Sequence, residues 1–405
     1  MRGQPPCLAP APVADDPRIL ALFGARVLFG QERANIEALA ALRDEGCEVL
    51  CVIRPEDWPE LLALSAALGA RGLAWITAPY VDYPVRGWLL HVARHNPSAY
   101  LKGNAALKRI AQDFAATHIH AFNSLHVAAF FGALRTVRIP LVYRAGDEPT
   151  RHNLFYRAVW RFILARASHF VADSQFIAAA LTASGADAAR VTVLYAPPPR
   201  RAGAPLVEIP QAASAPGAFR FAYVGQLIPE KGIDLLVHAF SSIASAHPNA
   251  QLLIAGRISD WSGDDWARAL RDRTNSDPQI GGRVHFLGLV EDAPELVRLC
   301  HVHVAPSVQE EPYGLVVVEA KSVGRPSIIF RSGGMTELVE DGIDGAVVDD
   351  KSAAGLAKAM LAYVADPNLA AAQGEAAYGS MAKLGFESFA RRWREIYEQA
   401  RAPAV

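Results

Sequence analysis

The feature that most constrains this chain is a twofold run of short apolar segments alternating with helical periodicity, interrupted once by a proline-rich stretch. "RILALF" (18–23) is an apolar run of strand length, "ERANIEALAALRDEG" (32–46) repeats its apolar residues at helical spacing and stops at Gly46, and "CEVLCVI" (47–53) is apolar again. That order predicts a βαβ opening. "THIHAF", "IPLVYRA" and "HFVADS" continue it, each followed by a helical stretch. From about 196 to 218 the text "APPPRRAGAPLVEIPQAASAPGA" breaks the pattern and reads as an interdomain linker. A second series then begins with "FRFAYVG", "GIDLLVHAFSSIASA" and "AQLLIAG". It runs through a helix near 263–274, "VHFLG", "PELVRLC", "VHVAPS", a helix near 314–324, "PSIIF", the expected helix "MTELVED" and "GAVVD".

Strands alternating with helices imply parallel sheets covered on both faces, and 405 residues are too many for one ordinary core. The expected fold class is therefore α/β, with two Rossmann-like, doubly wound parallel-sheet domains. Residues 1–200 form the first, 201–218 the linker and 219–383 the second. The segment 384–405, with "FESFARRWREIYEQA" (386–400), is expected to pack back on the first domain. Ligands in such folds sit beyond the carboxyl ends of the strands.

Composition narrows the classes. With 51% hydrophobic and 20% charged residues the chain is neither disordered nor fibrous, and a net charge of −1 gives no global reason to expect nucleic acid. Residues 1–200 hold 21 Lys+Arg against 16 Asp+Glu (+5), and 201–405 hold 19 against 25 (−6). This asymmetry fits a first domain that meets something anionic, and it fits solubility patterning equally well. Cys7, Cys47, Cys51 and Cys300 lack metal or redox spacing and read as reduced thiols of a cytosolic protein. The N-terminus does not read as a secretion signal, and no uncharged apolar run reaches the roughly 18 residues of a membrane span.

The segment "EEPYGLVVVEAKSVGRP" (310–326) places Glu311 and Glu319 on either side of an apolar run. A helix starting near Gly314 leaves its first amides unpaired and attractive to anions, and Gly314 lets a phosphate approach the backbone. Glu311 then lies in the loop before this end and Glu319 about one turn inside, where both carboxylates can accept from hydroxyls of one ligand. Spacing alone leaves a second reading open, with Glu311 a loop cap and Glu319 an exposed residue in a salt bridge. "YVGQLIPEKGIDLL" (223–236), with Gly225 and Lys231, "GGMTEL" (333–338), and "LFGQERANIEAL" (28–39), with Gly30, are further turns that open helices. Several such turns at strand ends make a cradle for a diphosphate.

Together these residues resemble the retaining glycosyltransferases of family 4, which have the GT-B fold of two Rossmann-like domains facing a cleft. The resemblance covers nearly the whole chain and is strongest over 219–348. Glu311 and Glu319 match the family's Glu-x7-Glu signature, and Gly333, Gly334 and Glu337 its GGxxE. The resemblance implies sugar contact by Glu311, ribose contact by Glu319, and diphosphate contact by the backbone of Gly314, Leu315 and Val316. Lys231 stands as the phosphate lysine, Leu289 and Val290 as the loop lining the base, Gly256 among the donor-binding residues, and Gly30 as the glycine-loop contact from the acceptor domain. Two positions depart from the pattern: Gln226 replaces a frequent Arg, and Gly146 stands where a His often precedes the retained Asp147.

The implied reaction is retaining transfer from a UDP- or GDP-linked sugar by front-face attack. The donor phosphate takes the acceptor proton, and Lys231, Gln226 and the helix end stabilise the leaving diphosphate. No Asp-x-Asp occurs in the chain, so no catalytic metal is expected, nor any cofactor beyond the substrate. Asp147 is expected to orient acceptor or sugar, or to be a turn residue.

The acceptor is expected to be a saccharide or lipid-linked glycan, in bacterial cell-surface or exopolysaccharide synthesis. Arg86, Arg94, Lys102, Lys108 and Arg109 in 83–112, and Arg151, Arg157, Arg161 and Arg166 in 151–170, stand among aromatics. They suit an anionic surface on the inner face of the cytoplasmic membrane, or a solvated helix face. The competing readings are another enzyme of this fold, such as a nucleotide-sugar epimerase or an α-glucan phosphorylase, and a non-catalytic sugar-nucleotide sensor. A dinucleotide oxidoreductase is disfavoured, because "LFGARVLFGQE" does not fit G-x-G-x-x-G.

Overall fold

The computed structural model describes residues 16–24, 28, 30–55, 59–80, 97–150, 152–198, 207–256 and 264–400. They divide into two compact units, one running to Ala196 and resuming at Glu387, the other spanning Pro197–Phe386. Arg86, Arg94 and Arg151 of the basic stretches lie outside the described residues, as does Cys7.

The first unit is built on a seven-stranded parallel sheet, ordered β3-β2-β1-β4-β5-β6-β7. The strands are β1 (Arg18–Leu22), β2 (Glu48–Ile53), β3 (Ala74–Thr77), β4 (His118–Ala121), β5 (Leu141–Ala145), β6 (Ala167–Ala172) and β7 (Val191–Val193). Alternate residues of β1 feed two cores, as the two-residue period of a strand requires. Leu20 and Leu22 join the core under the helices Pro97–Asp113 and Leu154–Arg166, while Ile19, Ala21 and Phe23 join the opposite one. The second core holds the inner faces of the helix Gly30–Asp44 and of the C-terminal helix Phe389–Gln399, whose Trp393 and Tyr397 are fully buried. Cys47 and Cys51 are unpaired and buried here, and burial pushes the Cys47 thiol up to about 11.

The second unit repeats the plan with six parallel strands ordered β10-β9-β8-β11-β12-β13. These are β8 (Phe219–Val224), β9 (Ala250–Ala255), β10 (Val284–Gly288), β11 (Val302–Ala305), β12 (Ser327–Phe330) and β13 (Gly345–Val348). β9, β11 and β12 are buried throughout, and each is apolar but for one buried polar residue, Gln251, His303 and Ser327 respectively.

One expectation needs correction. "MTELVED" is not an α-helix: Gly333–Leu338 is a 3-10 segment, with Ser332 N–H held by Thr336 Oγ1 at 2.9 Å. Within the segment expected to be the linker, a short element is described. Gln211–Ser214 is a helical turn with Ala213 fully buried, and Ala213 O accepts from Arg220 at 2.9 Å. Its proline and alanine content hid an element too short to show periodicity. Among the described residues no helix is long and apolar enough to cross a membrane.

Candidate active site

In the second unit the strand order reverses between β8 and β11, and the loops that leave their carboxyl ends diverge there. The β8 loop carries Gln226 and a 3-10 turn, Pro229–Lys231; the β11 loop carries Glu310 and Glu311 and enters the helix Leu315–Ser322. Backbone ties hold the loops together: Glu230 O accepts from Val308 N–H at 2.9 Å and from Gln309 N–H at 3.3 Å. The result is an ion pair between Lys231 Nζ and Glu311 Oε1, both side chains largely buried. Ser307 Oγ donates to the same carboxylate oxygen at 2.6 Å.

Gly314 caps the Leu315–Ser322 helix in the left-handed region (φ 99°), with no side-chain cap. A β-carbon there would lie 2.8 Å from Met335 Cγ, so conformation and space both call for glycine. Val317 N–H turns back onto Gly314 O at 2.9 Å, whereas the amides of Gly314, Leu315 and Val316 make no hydrogen bond among the described residues. Such amides carry the positive end of the helix dipole. Glu319 is buried in the second turn, 8% exposed, and not the exposed residue of the open alternative.

The other positions named for the donor gather at the same sheet edge. Gly225 N–H donates to Ala255 O at 3.0 Å and Gly256 N–H to Gly288 O at 2.8 Å, leaving bare backbone beside β8 and β9. Leu289 is 68% exposed just past β10, and Val290 packs against the cluster holding Leu296 and Cys300. Gln226 is half-buried, and its main-chain oxygen accepts from Tyr223 Oη at 2.7 Å.

The first unit holds Gly30 and Asp147. Gly30 opens the helix Gly30–Asp44 and is exposed; Asp147 is exposed in the bend after β5. Gln31 links them, its Nε2 donating to Phe122 O at 3.1 Å and to Asp147 Oδ2 at 3.4 Å. The strand order of this unit reverses between β1 and β4, so these groups occupy its switch point.

Comparison with known proteins assigns the family. Residues 208–380 match the family described as "Glycosyl transferases group 1", and residues 29–197 match "Glycosyl transferase 4-like domain". The chain belongs to the group 1 glycosyl transferases. This group 1 chain is 31% identical over 182 residues to a D-inositol 3-phosphate glycosyltransferase of Corynebacterium kroppenstedtii, which covers 44% of this chain and 40% of that one. It is 31% identical over 167 residues to the lipopolysaccharide core biosynthesis mannosyltransferase LpcC of Rhizobium leguminosarum bv. viciae, covering 40% and 46%. The chain thus spans less than half the length of these curated relatives. Among solved structures it resembles Anabaena Alr3699/HepE in complex with UDP-glucose (TM-score 0.75, 20% identity, 93% of this chain and 98% of that one). It also resembles sucrose-phosphate synthase from Thermosynechococcus elongatus (TM-score 0.74, 21% identity, 94% and 98%). These likenesses establish the GT-B fold for both units.

Sequence reading of this group 1 member missed several site residues. Ser307, four positions before Glu311, carried no signal beyond that spacing. Glu310 accepts from Gly333 N–H and from Lys351 Nζ, at 2.9 Å for the lysine, and so ties the glycine turn to the loop before the helix. Lys351 lowers the pKa of Glu310 below the ordinary carboxylate value, aided by the Gly333 amide and opposed by burial. Gln31 was overlooked beside Gly30, and Glu337 of the GGxxE signature is exposed.

Proposed function

We propose that this chain is a glycosyltransferase that binds a nucleotide-linked sugar on its second unit and moves the sugar, with retention, to a saccharide or lipid-linked acceptor. The observation that carries the reading is the meeting of Lys231 and Glu311 in the loop before the Leu315 and Val316 amides, which are unpaired among the described residues, at the switch point of a parallel sheet. A lysine and helix amides match a diphosphate, and carboxylates on either side match the hydroxyls of sugar and ribose. UDP-glucose, present in a structural neighbour, is the first donor to try.

In the proposed reaction Lys231, Gln226 and the amides of Gly314, Leu315 and Val316 hold the diphosphate as the glycosidic bond breaks. Glu311 holds the sugar, Glu319 the ribose, and Leu289 and Val290 the base. Gly256 lends bare backbone, while Gly30 and Asp147 are the first unit's contribution. The chain's role is assigned to bacterial surface or exopolysaccharide glycan synthesis, with a cytoplasmic-face membrane location for the first unit. Support for a lipid surface comes from a groove of about 1020 Å³ in the first unit, with Ile76, Ile110 and Phe114 as apolar walls and Lys102, Arg109 and Asp113 among its lining, two basic groups to one acidic.

A thermal-shift panel of UDP-, GDP- and ADP-sugars tests the proposal, because a ligand at about 100 times its Kd stabilises the native state by about 2.7 kcal/mol. One nucleotide class is expected to raise Tm. No shift with any of them at millimolar concentration sinks the donor site.

A further inference from the structure

We infer that Lys351 is a positioning residue of the donor site, whose ammonium sets the β11 loop so that the Glu311 carboxylate meets a hydroxyl of the transferred sugar. The inference rests on the transferase reading above and adds a residue of the second unit to its site. Two observations single out Lys351. Its side chain leaves the turn after β13 and lies against the β11 loop, 25% exposed, with Nζ donating to Val308 O at 2.9 Å and to Glu310 Oε1 at 2.9 Å. Its backbone stands in the left-handed region (φ 39°), where among the described residues Ala115 is the one other non-glycine. Glycine adopts that conformation without strain, and a half-exposed ion pair stabilises a fold only slightly. A lysine here therefore gives the fold little that glycine would not give, and what it adds is the placement of the loop.

That placement reaches Glu311 through its chain neighbours. Glu310 Oε2 accepts from Gly333 N–H, so Lys351 and the glycine turn after β12 hold one carboxylate between them. The same turn holds the Glu311 main chain at both ends: Gly334 N–H donates to Glu311 O at 2.7 Å, and Ser332 Oγ accepts from Glu311 N–H at 3.0 Å. A β-carbon at Gly333 would overlap Glu311 O, so the turn and the loop are in direct contact. From the β8 side Glu230 O grips the amides of Val308 and Gln309, and Lys351 grips Val308 O and Glu310. The loop is thus pinned immediately before Glu311. Glu311 Oε1 is taken by Lys231 and Ser307, while Oε2 makes no hydrogen bond among the described residues and is the oxygen left for a ligand hydroxyl.

The test measures by calorimetry the Kd of UDP-glucose, GDP-mannose and ADP-glucose and of the matching bare nucleoside diphosphates, alongside Tm. Lys351→Gly removes the ammonium and relaxes the backbone. It is expected to keep or raise Tm and to leave nucleoside diphosphate affinity unchanged, while the nucleotide sugar binds about fivefold or more weakly. Glu310→Ala is expected to match that loss, and the double variant to show no further loss, because the two side chains act as one unit. An unchanged nucleotide-sugar Kd in Lys351→Gly overturns the inference. So does an equal weakening of the bare nucleotide, which marks a general loosening of the site, and so do single losses that multiply in the double variant. Failure of the wild-type protein to bind any nucleoside diphosphate strikes the transferase reading instead, since that binding is assigned to Lys231 and the helix amides.

Discussion

Lys231 and Glu311, 80 residues apart in sequence, are ion-paired across the β8 and β11 loops, and Ser307 shares the Glu311 oxygen that Lys231 holds. A lysine held by a neighbouring carboxylate is preset in position, and on the proposed reading an arriving diphosphate would compete with Glu311 for it. Lys231→Ala is expected to weaken UDP or GDP binding about 10- to 100-fold, the worth of a charge-assisted hydrogen bond. Glu311→Gln, which releases the ammonium, is expected to keep or tighten nucleotide binding while nucleotide-sugar turnover falls. Calorimetric titration reads the first and a nucleotide-release assay the second. Equal loss of nucleotide affinity in both variants contradicts this division of labour.

Glu319 is buried one turn inside the helix whose Leu315 and Val316 amides make no hydrogen bond among the described residues. If its carboxylate grips the ribose diol, the wild-type protein prefers a ribonucleotide over its 2′-deoxy counterpart. Glu319→Ala is expected to erase that preference and to weaken the ribonucleotide about tenfold or more. A preference that survives in the variant returns Glu319 to a structural role.

The absence of Asp-x-Asp from the chain leads to a metal prediction: turnover in excess EDTA is expected to equal turnover in magnesium. Loss of activity on chelation, restored by a divalent ion, would refute it.

In the first unit Arg144 Nε donates to Asp173 Oδ1 at 2.7 Å, with Arg144 1% exposed and its terminal nitrogens without hydrogen-bond partners among the described residues. Burial raises the Asp173 pKa, and Arg144 opposes the shift. Removing one partner strands the other charge in the core. Asp173→Ala is expected to cost about 3–5 kcal/mol in urea unfolding, and Arg144→Met combined with Asp173→Asn to recover much of it. A single variant within 1 kcal/mol of wild type would show that the pair is unimportant to stability.

Three buried histidines make stability depend on pH. Burial pushes His120 and His126 down to about 3 and His303 to about 4. His126 Nε2 accepts from Gly24 N–H at 3.1 Å, a bond that the protonated ring cannot make. The unfolded chain takes up these protons below about pH 6.5 and the folded chain does not, so stability is full above that pH and falls below it. Each histidine removes about 1.4 kcal/mol per pH unit down to its folded value. Urea midpoints are expected to drop between pH 7.5 and pH 5.5; a flat profile would contradict the burial.

The architecture was legible because parallel strands buried on both faces read as apolar runs, as "AQLLIAG" did for β9. Glu311 and Glu319 stood out through the resemblance to a Glu-x7-Glu signature; the structure places Glu311 in the loop before the Leu315–Ser322 helix and Glu319 buried within it. The Lys231–Glu311 pair was not legible, since nothing local to either residue states how two loops 80 positions apart will pack. Gly146 looked like a gap in the family pattern; the atom that fills the gap comes from Gln31, 115 residues earlier, as 146 − 31 counts it. Gly333–Leu338 read as helix because its apolar spacing is helical, while the hydrogen bond that Thr336 Oγ1 accepts from Ser332 N–H favours the tighter turn.

The hydrogen bond from Tyr397 to His120 spans 277 residues. On the ribosome, then, the sheet of the first unit emerges with one side unsealed, and the entire second unit is synthesised before the cover arrives. Trp393 and Tyr397 close that side last, so part of its apolar face waits while the second unit, about half of the chain, is made, and the second unit has time to fold as an independent insert.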